Sequence, residues 1–101
     1  MKLEWEQNPP TKPMTWDEAI EYAKSLGDGW TLSAKEELLD AYFTEVKGFQ
    51  SDHYWSSSEF AQVTNHAWIV SFSYGKMYYN TKMEEYYVRC VRNDHLCNKG
   101  E

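Results

Sequence analysis

The sequence predicts an α+β domain, with two helices in its first half and antiparallel strands in its second. Three observations carry that prediction. Two early stretches repeat apolar residues at helical spacing behind a capping signal. From residue 53 onward the pattern becomes a Trp-, Tyr- and Val-rich alternation broken by a glycine turn. The chain has 101 residues, 17% of them aromatic, which suits one domain with an aromatic core and leaves no room for a second. We therefore treat 1–101 as a single domain, with 93–101 as a polar tail.

The elements follow in order. Trp5 belongs to a short N-terminal strand, and "NPPTKP" after it is a stiff, extended lead-in. "TWDEAIEYAKSLGDG" reads as a helix. Thr15 is the N-cap and Glu18, three residues on, completes a capping box. Trp16, Ala19, Ile20, Ala23 and Leu26 form its apolar stripe, and Gly27 stops it. Trp30 and Leu32 lie in a short extended segment. A second helix is expected with Ser33 as cap, Glu36 completing a box, and Leu38, Leu39, Tyr42, Phe43 and Val46 buried, ending at Gly48. "YWSSS" is strand-like. "AWIVSFS" places Trp68, Val70 and Phe72 on one face. "SYGK" is a hairpin turn at Gly75, "MYYN" follows, and "EYYVRCVR" is a last strand, with Tyr86, Val88 and Cys90 facing away from Tyr87, Arg89 and Val91.

Charge narrows the function. The net charge is −6, and residues 1–50 carry 10 acidic residues against 5 lysines. An acidic chain repels phosphate, which argues against nucleic-acid binding. No apolar run approaches the ~20 residues of a membrane span. The opening "MKLEWEQNPP" lacks the apolar core of a secretory signal, so a cytoplasmic protein is expected, with Cys90 and Cys97 kept as thiols; the alternative is a secreted protein whose signal has been removed, in which the two could pair across a short loop.

The ordered motifs resemble one family. They are Thr15, Trp16, Glu18 and Ala19; Gly29, Trp30 and Leu32; Glu37 and Leu38; Tyr54 to Ser58; Ala67, Trp68, Val70 and Phe72; Gly75; and Tyr87 to Arg92. Over residues 14–92 this is similar to the DUF1566 family, also called the Lcl C-terminal domain. The resemblance implies a C-type-lectin-like fold, of the variety seen in formylglycine-generating enzymes and in the variable proteins of diversity-generating retroelements. It implies two helices, a twisted antiparallel sheet and neighbouring termini. It makes Trp16, Trp30, Tyr54, Trp55, Trp68, Arg89, Cys90 and Arg92 structural motif residues. The family occurs in bacteria, phages and prophages, where surface members are linked to adhesion and to glycan or matrix binding.

Two departures stand out. The family usually reads "WRLP" where this chain reads "WTLS", so Thr31 and Ser33 replace an arginine and a proline. Ala23 stands near a place where the family often has a cysteine, which leaves Cys90 without that partner.

The serines of "YWSSS" lack a G-x-S-x-G elbow and are expected to satisfy backbone groups. "DHLC" offers Asp94, His95 and Cys97, but zinc needs a second short-spaced pair, and none is evident. The Glu-Pro-Asn, Gln-Pro-Asp and Trp-Asn-Asp motifs of calcium-dependent lectins do not occur. No catalytic residues, metal or cofactor are expected. The suggestive surface is aromatic: Tyr74, Tyr78, Tyr79 and Asn80 around the Gly75 hairpin, with Asn65 and His66 before it. Tyr and Asn give large contact area with few rotors and a polar tip. The expectation is a non-catalytic binding module that recognises a protein partner through this hairpin. The alternatives are calcium-independent carbohydrate or cell-surface binding, and a phage-encoded inhibitor of a host defence protein.

Overall fold

The computed structural model describes residues 3–93. The element order is β1 (Leu3–Trp5), α1 (Trp16–Leu26), β2 (Thr31–Leu32), α2 (Lys35–Phe43), β3 (His53–Glu59), β4 (His66–Ser71), β5 (Lys76–Thr81) and β6 (Cys90–Asn93). The strands form two three-stranded antiparallel sheets, β1-β6-β2 and β3-β4-β5, instead of one meander. Leu3 pairs with Asn93, so the two ends of the described chain lie side by side.

α1 forms as its sequence dictates. Thr15 Oγ1 accepts the Glu18 N–H (3.4 Å), and the Glu18 carboxylate accepts the Thr15 N–H (2.9 Å). Gly27 ends the helix at φ 63°, a conformation that costs a glycine little.

α2 departs from expectation at both ends. Its N-cap is Ala34, whose N–H donates to Glu37 (2.7 Å), not Ser33 with Glu36. Ser33 is fully buried, and its hydroxyl is directed to Arg89 O (2.9 Å) and accepts no N–H of the first helical turn. Ser58, on β3, supplies a substitute by accepting the Lys35 N–H (3.2 Å). The helix stops at Phe43, with Thr44 as C-cap and Glu45 turning at φ 58°, well before Gly48. Ala41 takes a buried position beside Leu38, and Phe43, on the opposite side of the helix, is 68% exposed.

The β3-β4-β5 sheet is covered on both faces, and β3 shows why. Tyr54 and Trp55 are consecutive, point to opposite sides, and are both buried. Trp55 joins Ala67, Ile69, Val88 and Cys90 beneath Ala19 and Ala23 of α1. Tyr54 joins Val70 and Leu38 of α2, with Phe49, Phe72 and Met77 around them. Residues 86–89 do not extend β6. They run between the sheets, making single bridges from Tyr86 to Met14 and from Tyr87 to Tyr54. Their alternation survives, with Tyr86 and Val88 in the first cluster and Tyr87 in the second.

Candidate functional site

The "YWSSS" motif sits where β3 and β4 lose register, between Trp55 and Glu59. A bulge leaves main-chain groups without ladder partners, and the serines take them up. Ser56 Oγ donates to Trp68 O (2.8 Å) and accepts the Ser58 N–H (3.1 Å). Ser57 N–H donates to Ser33 O (2.8 Å). The neighbouring tryptophans are pinned too. Trp55 Nε1 donates to Met14 O and Trp16 Nε1 to Ser56 O, each at 2.9 Å. Lys82 lies 4.0 Å from the Trp16 ring centroid and also bonds Glu59 (3.0 Å).

Arg89 is 4% exposed and stitches three segments together. Its Nε donates to Glu6 O and its Nη1 to Lys47 O, both at 2.8 Å, and its guanidinium packs 4.6 Å from the Phe49 ring centroid. Burial lowers its pKa from the usual arginine value. Arg92 lies 4.7 Å from the Trp30 ring centroid and pairs with Glu4 (2.9 Å).

Glu6 went unnoticed in the sequence. It is buried, accepts the Tyr22 hydroxyl, and accepts the Cys90 N–H (3.0 Å). Burial, reinforced by Glu6, raises the Tyr22 hydroxyl pKa and pushes the Cys90 thiol up to about 12. A protonated, fully buried thiol is chemically quiet. Asp94, His95 and Cys97 lie outside the described residues. Among the described residues, no three His, Cys, Asp or Glu side chains are arranged to hold a metal ion.

The six hairpin residues do not form one surface. Successive strand residues face opposite sides, so Tyr78 and Tyr79 diverge. Tyr78, 40% exposed, lies on the α1 side with its ring 5.9 Å from His53. Asn80 shares that side and donates to the Tyr86 hydroxyl (2.8 Å). Tyr79, 50% exposed, lies on the α2 side. It stacks on Phe60 at 4.0 Å and 6°, and meets Trp68 edge-on at 5.6 Å and His66 at 6.2 Å. Lys35 reaches to 5.7 Å from the Trp68 ring centroid. Tyr74, 71% exposed, sits in the turn next to Gly75. Asn65 is an exposed turn residue at φ 64° whose carbonyl accepts the Lys82 N–H.

The group that emerges is Phe60, Trp68, Tyr79 and His66, on the part of the sheet beyond the start of α2. Phe60 was missed in the sequence, although it continues the β3 pattern directly after Glu59. Two grooves occur elsewhere. One of about 560 Å3 lies between β1, Val46, Lys47 and Arg89, and one of about 370 Å3 between α1 and β2. Hairpin residues line neither of them.

Comparison with known proteins places this architecture. The family model of the Lcl C-terminal domain matches residues 1–92. The chain belongs to that family. The match takes in β1, which the motif reading from residue 14 left out. β1 pairs with β6 over Leu3–Trp5 and is integral to this Lcl C-terminal domain. Among solved structures, botrocetin, a C-type-lectin-like protein, matches with a TM-score of 0.63 at 14% identity, covering 88% of each chain. That likeness shows the fold: the domain is C-type-lectin-like. No match is found among curated proteins. Among the described residues, no helix is long and apolar enough to cross a membrane.

Proposed function

We propose that this domain is a non-catalytic recognition module that binds a protein partner through the aromatic face of its β4–β5 hairpin. The observation that carries this reading is the Tyr79–Phe60 stack over Trp68, which keeps Tyr79 half exposed on a rigid sheet. A pre-ordered aromatic slab loses little side-chain entropy on contact and offers large apolar area with a polar hydroxyl tip. Such residues recur as binding hot spots. The buried polar groups support the same reading, because the serines and Arg89 are committed to main-chain carbonyls and N–H groups. A bacterial or phage setting follows from the family resemblance and belongs to this proposal.

The test is capture of partners from bacterial lysate with wild-type protein and a folded Phe60→Ala/Tyr79→Ala variant, run beside a glycan screen. A stoichiometric protein partner lost in the variant supports the reading. A partner held equally by both places the interface elsewhere. Glycan binding without calcium, lost in the variant, would replace the protein partner with a carbohydrate.

A further inference from the structure

Among the described residues, β5 is the outer strand of its sheet, with β4 on one side and no strand on the other. The direction of its main-chain groups follows from one bond. Lys82 N–H donates to Asn65 O (2.9 Å), across the pairing that matches Thr81 with His66. Antiparallel ladders alternate hydrogen-bonded and non-bonded pairs. Asn80, Tyr78 and Lys76 therefore turn their main-chain groups toward β4, and Thr81, Tyr79 and Met77 turn theirs outward. Thr81 N–H is already taken by the Asn80 side chain (2.8 Å). Met77 and Tyr79 remain, each presenting an N–H and C=O that no group of the described residues takes.

This edge is poorly protected. Natural edges are blunted by proline, bulges or central charges. β5 has none of these, and its one charge, Lys76, is at its first residue. Six large hydrophobic side chains are exposed among the described residues, and four of them, Tyr74, Tyr78, Tyr79 and Met83, lie in or beside this strand. Apolar groups concentrated beside open main-chain donors and acceptors mark an interaction edge.

We infer that β5 pairs antiparallel with β5 of a second copy, about a two-fold axis at Tyr78, to form a continuous six-stranded sheet. Registry selects that axis. It sets Met77 opposite Tyr79 of the partner copy and Tyr79 opposite its Met77, so each open donor and acceptor is satisfied. An axis at Tyr79 would need the Thr81 N–H that Asn80 occupies. An axis at Met77 would need Gly75 N–H, which donates to Ser71 O (2.8 Å). Charge is compatible as well. The strand has no carboxylate, and Lys76 falls opposite Asn80, so the chain of net charge −6 meets its copy where no like charges oppose. The two Tyr78 rings meet on the axis. The two Tyr79–Phe60 stacks come to lie on the same face, one from each copy. This inference stands independently of what that face binds.

The experiment is sedimentation velocity on the full chain across a wide concentration range, with circular dichroism to confirm folding. Wild type is expected to dimerise reversibly. Tyr78→Asp and Tyr78→Lys each place like charges on the axis and should weaken the dimer on the order of tenfold or more. An equimolar mixture of the two should recover the dimer mass, which misfolded variants could not do. Tyr79→Pro removes an outward N–H without touching a β4 bond, and should also yield monomer. A wild type that stays monomeric throughout overturns the inference, as does a dimer indifferent to Tyr78 charge and to Tyr79→Pro.

Discussion

Replacing Arg89 with methionine tests how the end of β1 is tied to the connection between α2 and β3. The change keeps a long stem against Phe49 and removes the two bonds to Glu6 O and Lys47 O. Bonds from a charged donor contribute about 1.5–3 kcal/mol each. Relief of the guanidinium's desolvation offsets part of that, since burying a charge costs several kcal/mol. The groove beside Lys47 also lets water reach the freed carbonyl. The expected net loss is about 2–4 kcal/mol, a large share of the roughly 5–15 kcal/mol typical of a domain. Urea unfolding reads this directly as a lower midpoint at constant slope. Arg89→Lys retains the charge but cannot reach both carbonyls, so it should lose a comparable amount. A midpoint within about 0.5 kcal/mol of wild type for Arg89→Met would mean that desolvation cancels both bonds, and the assignment of Arg89 as the tie would fail.

Three further predictions concern the turn and the buried thiol. Gly75→Ala puts a Cβ against the Tyr42 ring, with Cδ2 at 2.7 Å, at a φ of 68°. The left-handed backbone alone costs roughly 1 kcal/mol, and displacing a ring packed on Phe43 and Phe72 should bring the loss to about 2–3 kcal/mol in thermal unfolding. A wild-type melting temperature would refute the close approach. Cys90 is held protonated because burial raises its pKa from 9.0 to about 12. A raised acid favours the fold below its unfolded pKa, and that contribution is lost as pH rises from about 9 toward about 12. Tyr22 shifts the same way. Urea midpoints should therefore fall between pH 8 and pH 10.5 (about 1.4 kcal/mol per unit for one fully differential proton). In a Cys97→Ser background, Cys90 should resist thiol reagents at pH 8 until the chain unfolds. Rapid native labelling would contradict its burial.

Legibility in the sequence followed the range of the contacts. α1 could be read residue by residue, because Thr15 and Glu18 cap each other within one turn and Ala19 and Ala23 mark its face. α2 was displaced by one residue because the Ser33 hydroxyl goes to Arg89, 56 positions away. The expected buried face of α2 also took in Phe43, which its helical phase turns outward. Phe43 lies on the side of α2 opposite Leu38 and Ala41, and so stays in solvent. The hairpin was legible as a turn with exposed tyrosines. Its division into two faces is strand parity, which "MYYN" already contained, whereas the Phe60–Tyr79 stack depends on β3 and β5 flanking β4 and carries no local signature. Glu6 was invisible because a glutamate near the N-terminus resembles any solvated acid until Tyr22 and the Cys90 N–H close around it.

The cap that Ser58 lends to α2 bears on the order in which the chain folds. α1 carries its nucleation signals within itself and can form as soon as its own residues are available. In α2 the Ala34 N–H is met locally by Glu37, but the Lys35 N–H meets its protein partner only when a hydroxyl 23 residues downstream has arrived, along with the Ser57 N–H that bonds Ser33 O. Closing that loop costs entropy before any contact repays it. The first turn of α2 is therefore expected to gain its full set of bonds only together with β3. Thr15 should thus show a high φ-value, with Ser58 rising only alongside the β3–β4 pairing.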